Sequence, residues 1–149
     1  MDIAWCRARF AEAPVARLAT ADEDGRPHLV PIVFVLVDDA LYSAIDAKPK
    51  SSDARAGRLK RLDNIRANRA VSVLVDGYSD DWRQLWWARA DGMARVLHAS
   101  DEEAAGPLRA LAARYPQYDE PPPGPVIAIA VRRWSGWAAA ADSGRIEPR

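Results

Sequence analysis

The stretch His28-Leu29-Val30-Pro31-Ile32-Val33-Phe34-Val35-Leu36-Val37 decides the fold. Strand side chains alternate between faces, so a run that is apolar at every position after His28 describes an extended segment with neither face turned to water. We read it as one long strand over 28–37. Pro31 interrupts its ladder, because proline has no N–H to donate and central strands avoid it. Either this strand lies at a sheet edge, or the sheet is split at Pro31 and something else meets the open backbone. A flat heterocycle with its own donors and acceptors could take that place.

Shorter elements surround this strand. Upstream, Ile3, Cys6 and Phe10 recur at helical spacing and predict a helix that Pro14 ends. A strand over 15–20 and an Asp22-Glu23-Asp24-Gly25 turn lead into the long strand. Downstream, Asp38-Asp39 turns the chain into a strand over 41–45. Leu59, Leu62 and Ile65 mark one face of a short helix, and strands over 70–75 and 85–97 follow. Gly92 inside the latter predicts a bulge or a close backbone approach. Ser100-Asp101-Glu102-Glu103 has the form of a capping box for a helix to about Tyr115, which Gly106-Pro107 should kink or split. The connector Pro121-Pro122-Pro123-Gly124-Pro125 precedes a last strand over 126–131. Six mostly consecutive strands with short helices between them predict a mainly β domain over 1–149, a small antiparallel β-barrel. The alternation of strands with long helices that a doubly wound fold needs is missing.

Composition narrows the function. The chain has 149 residues, 49% apolar and 28% charged, enough for one globular domain with its own core. No apolar run approaches the roughly 20 residues of a membrane span. Met1 to Arg7 lacks the basic and apolar regions of a signal peptide, so a secreted precursor is not expected, and the single cysteine, Cys6, points to a reducing, cytoplasmic setting. Cys6 is the single cysteine, and His28 and His98 are the only histidines, so a metal held by His or Cys is hard to assemble. With 21 bases against 21 acids, a broad nucleic-acid surface is not indicated.

Familiar catalytic signatures are missing too. The eight glycines never occur two apart, which excludes a dinucleotide fingerprint and a phosphate loop. There is no nucleophile elbow, and two histidines leave little from which to build a triad. Asp38-Asp39 and Asp80-Asp81 sit beside turns, as solvated loop ends do. His28, at the start of a strand, reads as a surface or hydrogen-bonding residue. What stands out is charge and aromatics. Between Lys48 and Arg61 lie six cations (Lys48, Lys50, Arg55, Arg58, Lys60, Arg61) and one acid, Asp53. A charge run is usually a solvated face. This one is pinned by Pro49 directly after a strand, and Arg58, Lys60 and Arg61 are expected to open a helix, so that guanidinium forks and a helix N-terminus would both suit phosphate. The second feature is tryptophan: Trp82, Trp86 and Trp87 cluster, and Trp134 and Trp137 flank Ser135-Gly136. Most of these should fill a core or an interface. Trp86 and Trp87 are adjacent in a strand, however, and cannot both face inward.

Together these residues resemble the FMN-binding split β-barrel proteins, the pyridoxamine-phosphate-oxidase-like superfamily. The resemblance runs through Leu18-Ala19-Thr20, Asp24-Gly25-Arg26-Pro27-His28, Val30-Pro31-Ile32-Val33-Phe34 and Arg61-Leu62-Asp63-Asn64-Ile65. Lys48-Pro49-Lys50, the stretch from Asp80 to Gly92, Gly124-Pro125-Val126-Ile127 and Trp134-Ser135-Gly136-Trp137 are similar to a branch described as probable oxidoreductases using the deazaflavin coenzyme F-420. Asn68-Arg69 departs from the family's usual Asn-Pro, and Gly106-Pro107 interrupts a helix.

The resemblance implies a homodimeric split β-barrel with a cofactor in each groove between subunits. The cofactor phosphate would meet Lys48, Lys50, Arg58, Lys60 and Arg61, with Ser43 and Ser51. Its ring would lie near Val30, Pro31 and Ile32 with Ile45 beneath, and the partner chain would contribute Trp86, Trp87, Arg133 and Trp134. The expected function is an oxidoreductase moving a hydride between reduced F-420 and a small organic acceptor. The alternatives are an FMN-dependent oxidase or reductase on the same fold, and a non-catalytic cofactor-binding or storage protein. Six cations exceed what the single FMN phosphate requires and suit the phosphodiester and acidic tail of F-420. A dimer also follows from the long strand and the six tryptophans, more apolar surface than one small barrel can cover.

Overall fold

The computed structural model describes residues 1–45 and 52–142, of which 52–59 and 141–142 as backbone only. Asp2 starts the first helix, α1 (Ile3–Glu12), by accepting the Trp5 amide on its side chain at 2.8 Å. Four short strands follow: β1 (Ala16–Ala21), β2 (Pro27–Ile32), β3 (Val35–Val37) and β4 (Ala40–Ala44). After them come α2 (Ser52–Ala67), β5 (Ala70–Gly77), β6 (Trp86–Leu97), α3 (Glu102–Arg114) and β7 (Val126–Ala138). All seven strands form one antiparallel sheet in the order β2-β1-β5-β6-β7-β4-β3.

That order places β2 and β3 at opposite edges, although only Val33 and Phe34 separate them in sequence. Three Cα-to-Cα steps reach at most about 11 Å. The two edges must therefore meet at this corner, and the sheet curls into a split β-barrel. The single strand expected over 28–37 is thus two strands. Its break has a physical cause, because side chains take over the ladder groups there. Ser43 donates to the Val33 carbonyl at 2.8 Å, the Phe34 amide donates to the Tyr115 hydroxyl at 3.1 Å, and Arg114 donates to the Phe34 carbonyl at 2.7 Å. The expectation that neither face meets water also fails. Val30 and Ile32 turn inward, while Leu29 and Pro31 are exposed on the outer face of the edge strand. Of the two readings of Pro31, the sheet-edge one is what the structure shows.

Two cores lie on either side of the sheet. Inside the curl, Phe10 of α1 and Leu62 and Ile65 of α2 pack with Leu18, Phe34 and Val73. Outside, α3 sets Ala104, Leu108 and Leu111 against Val35, Leu97 and Val126. Gly92 lies at the irregularity in the β6–β7 register, where a Cβ would fall 2.3 Å from the Ala130 carbonyl oxygen.

Three helical expectations and one strand need correction. α2 spans a full 16 residues from Ser52, not a short helix, so positions 58, 60 and 61 lie along its middle and do not open it. α3 is unbroken, because Pro107 sits in its second turn and removes a single amide donor near an exposed end. Ser100 does not cap it: the N-cap is Asp101, whose carboxylate accepts the His98 amide, while the Ser100 hydroxyl pairs with His98 Nδ1. β7 runs to Ala138, well past 131, because its tryptophan-rich end pairs with the start of β6, Trp87 opposite Trp137.

Candidate functional site

A group of polar side chains lies where α2 crosses the β1–β2 hairpin. Gly25 adopts φ +80° at the turn, and the Asp22 carboxylate accepts the Asp24 and Arg26 amides at 2.9 and 2.8 Å. These amide bonds, with the Lys60 and Arg26 charges, hold the Asp22 carboxyl below the usual range. Lys60 Nζ is 3.8 Å from the same carboxylate. One turn along the helix, Asn64 donates to the Thr20 hydroxyl at 3.0 Å, and both side chains are buried. That bond orients α2 so that Lys60 and the buried Arg61 face the hairpin.

His28 stands opposite Thr20 in the β1–β2 register. Its Nδ1 is buried, with no hydrogen-bond partner among the described residues. Burial first, then the Arg61 and Lys60 charges, push its pKa below the ordinary histidine value, so the ring is neutral at pH 7. Two cations, a neutral imidazole with an open acceptor and a buried hydroxyl–amide pair thus converge beside Val30 and Ile32. This corner is cationic and rigid, and its donors suit an oxyanion.

The structure separates the other residues singled out from the sequence. Val30 is half-buried on the inner core and Ile32 is buried, but Pro31 faces out opposite Arg17. Ile45 packs against the inner core, and its amide donates to the Pro125 carbonyl at 3.0 Å. Ser43 spends its hydroxyl on the corner at Val33. Lys48, Lys50 and Ser51 lie outside the described residues, as does the side chain of Arg58. Trp86 turns inward, edge-on to Trp5 at 6.0 Å, with the Arg9 guanidinium 5.4 and 5.3 Å from the two rings. Trp134 packs edge-on to Phe10 at 5.2 Å. Trp87 faces out under Arg89, and the exposed Arg133 stands opposite Asp91. Adjacent tryptophans do face opposite ways, as strand geometry requires.

Thr20, Asp22, Asn64 and His28 are not among the site residues that the sequence predicts, although Thr20 and Asn64 stand in the resemblance motifs and Asp22 in a turn. The available signal was the spacing of Asn64, three residues after Arg61 and hence on the same helix face.

The outer face of β1, β2, β5 and β6 carries Leu29, Leu74, Trp87 and Met93, all half-exposed or exposed. A polar strip crosses it: Ser72 donates to Asp91 at 2.5 Å, Arg89 to Asp91 at 3.0 Å, and Arg17 to Asp76 at 3.3 Å. Among the described residues, no helix is long and apolar enough to cross a membrane.

The family described as pyridoxamine 5'-phosphate oxidase matches residues 4–138. No curated protein matches the chain. Among solved structures, the chain is similar to an FAD-binding protein from Mesorhizobium loti (TM-score 0.67, 22% identity, 91% of this chain and 94% of that one). A conserved hypothetical protein from Mycobacterium tuberculosis gives a TM-score of 0.68 at 20% identity, over 100% of this chain and 92% of that one. The heme storage protein HutZ from Vibrio cholerae gives 0.63 at 14% identity, over 91% and 93%. These likenesses concern the fold.

Proposed function

Because the chain belongs to the pyridoxamine 5'-phosphate oxidase family over residues 4–138, we propose that it is an oxidoreductase holding a tricyclic cofactor on a ribityl phosphate, and that this cofactor is F-420. The observation that supports this most is the cationic corner, where Lys60 and the buried Arg61 meet His28 beside Val30 and Ile32. Lys60 and Arg61, with Lys48, Lys50, Arg58 and Ser51, would hold the phosphate. The second strand around Pro31, with Ile45 nearby, would carry the ring. Ser43 would act through the corner it braces at Val33. A second copy of the chain would close the groove and contribute Trp87 and Arg133, with Trp86 and Trp134 behind them.

When bound, the cofactor supplies the hydride chemistry. The chain's own work is to bind, to orient and to exclude water. The Asn64–Thr20 bond holds α2 against β1, which keeps the cations aimed at one place. Neutral His28 offers an acceptor without adding a third positive charge. Both carboxylate pairs flagged in the sequence have other duties. Asp39 pairs with Arg7, and Asp81 caps its own turn and binds Arg83.

FMN is the second reading, favoured by the FAD-binding proteins among the similar structures. Six cations over 48–61 favour F-420, whose acidic tail extends beyond the phosphate. Fluorescence titrations at low and high salt decide between them, because exposed charges are screened over about 8–10 Å near physiological salt. F-420 should bind more tightly and lose more affinity with salt. FMN binding equally tightly with the same salt dependence overturns the F-420 assignment. Turnover with a panel of organic acceptors separates an enzyme from a storage protein.

A further inference from the structure

A groove of about 550 Å³ lies between the end of α2, the end of β6 and the connector entering β7. We propose that it binds a short dicarboxylate, at a site separate from the cofactor corner and independent of the reading of that corner. Its floor is apolar and firm, made by the buried Ile65, Ala94 and Leu97 with Pro123 and Pro125 along one wall. Its charged lining residues are all basic: Arg66 and Arg69 from α2 and the turn after it, Arg95 and His98 from β6 and the turn after it.

The donors are held in place. Arg69 Nε donates to the Ala94 carbonyl at 3.2 Å, and the Ala94 amide donates back to the Arg69 carbonyl at 2.8 Å. Among the described residues, no carboxylate bonds the Arg69 terminal nitrogens. His98 Nδ1 accepts the Ser100 amide at 3.1 Å, so in the neutral ring the proton resides on Nε2, which is left as a donor. Arg95 is fixed by a two-pronged bond to Glu103, and Arg66 lies 3.6 Å from Asp63. Arg66 and Arg69 alone could be explained as cations complementing the carbonyl end of α2. That explanation does not reach Arg95 and His98, which approach from a strand and its turn. Guanidinium donors of Arg66 and Arg69 on one side of an apolar floor and the His98 N–H on the other fit an anion with two heads and an apolar spacer, each head meeting a fork or an N–H.

Calorimetric titration of the full chain with adipate, and with hexanoate as the one-headed probe of equal length, tests the site. Adipate should bind saturably and at least tenfold more tightly than hexanoate. Arg69→Gln should weaken adipate at least tenfold, and Lys60→Gln, in the cofactor corner, less than twofold. Arg66→Gln, at an exposed helix position, serves should Arg69→Gln fold poorly. No saturable adipate binding, equal affinity for hexanoate, or loss through Lys60→Gln but neither arginine variant overturns the proposal. None of these results depends on whether F-420 or FMN binds.

Discussion

The Arg114 guanidinium donates to the Phe34 carbonyl at 2.7 Å and lies 4.8 Å from the centre of the Phe34 ring. The same group donates to the Ala11 and Ala13 carbonyls at the end of α1. One side chain near the end of α3 therefore ties down the corner where the sheet's two edges meet. Tyr115 repeats the tie, accepting from the Phe34 amide and placing its hydroxyl 3.0 Å from the Pro14 carbonyl.

Arg114→Ala should therefore cost about 2–3 kcal/mol, given that a hydrogen bond from a charged group is worth roughly 1.5–3 kcal/mol and that this side chain is only partly buried. Urea unfolding should show a lower midpoint with an unchanged slope. A midpoint equal to the parent's would mean that the corner is held without Arg114.

Gly92→Ala should destabilise by about 1–3 kcal/mol, the usual cost of forcing extra volume into a packed place. The added Cβ would meet the Ala130 backbone oxygen at 2.3 Å, so strand and not side chain must move. Thermal unfolding checks this, with Gly106→Ala as the contrast, since open space surrounds a Cβ there. Gly106→Ala should be neutral or stabilising.

His28 gives a pH dependence with a definite sign. Its folded-state pKa is depressed below the ordinary 6.5, through burial and then Arg61 and Lys60. In that window the unfolded chain binds more protons, so stability rises with pH. Stability should fall as pH drops below about 6.5, a range in which the depressed carboxyls of Asp22 and Glu103 are still fully ionised. His28→Gln should flatten the denaturation midpoint between about pH 5.5 and 7. A parent protein with no slope there would contradict the depressed imidazole of His28.

The outer sheet face should bury itself against a second copy of the chain. Sedimentation at micromolar concentration should give twice the 16.4 kDa chain mass. Leu29 is 66% exposed on that face, and Leu29→Lys should shift the equilibrium toward monomer. A monomeric parent that still binds cofactor would remove the shared-groove arrangement.

Much of the fold was legible in short-range chemistry. Pro14, the Asp22–Gly25 turn and the apolar periods of the strands are settled by a few neighbouring residues, so the elements fall close to where those signals put them. Gly92 was legible for the same reason: a glycine inside a strand implies that something approaches too closely for a Cβ. The cationic stretch was legible as composition, and Lys60 and Arg61 do turn toward a common corner.

Local chemistry was enough to mark most of the strands, the antiparallel barrel and the run of positive charge that continues into α2. Local steric and polar preferences suffice for these. Only the tertiary structure decided that residues 28–37 form two strands at opposite sheet edges, because the groups that break the run, Ser43, Arg114 and Tyr115, arrive from far along the chain. It likewise decided that the half-buried His28 lies near Arg61, that Trp86 faces inward and Trp87 outward, and that four basic residues from α2, β6 and the turns after them share one groove. Each is a long-range juxtaposition set by how the curled sheet packs its helices, and no local pattern along the chain encodes it.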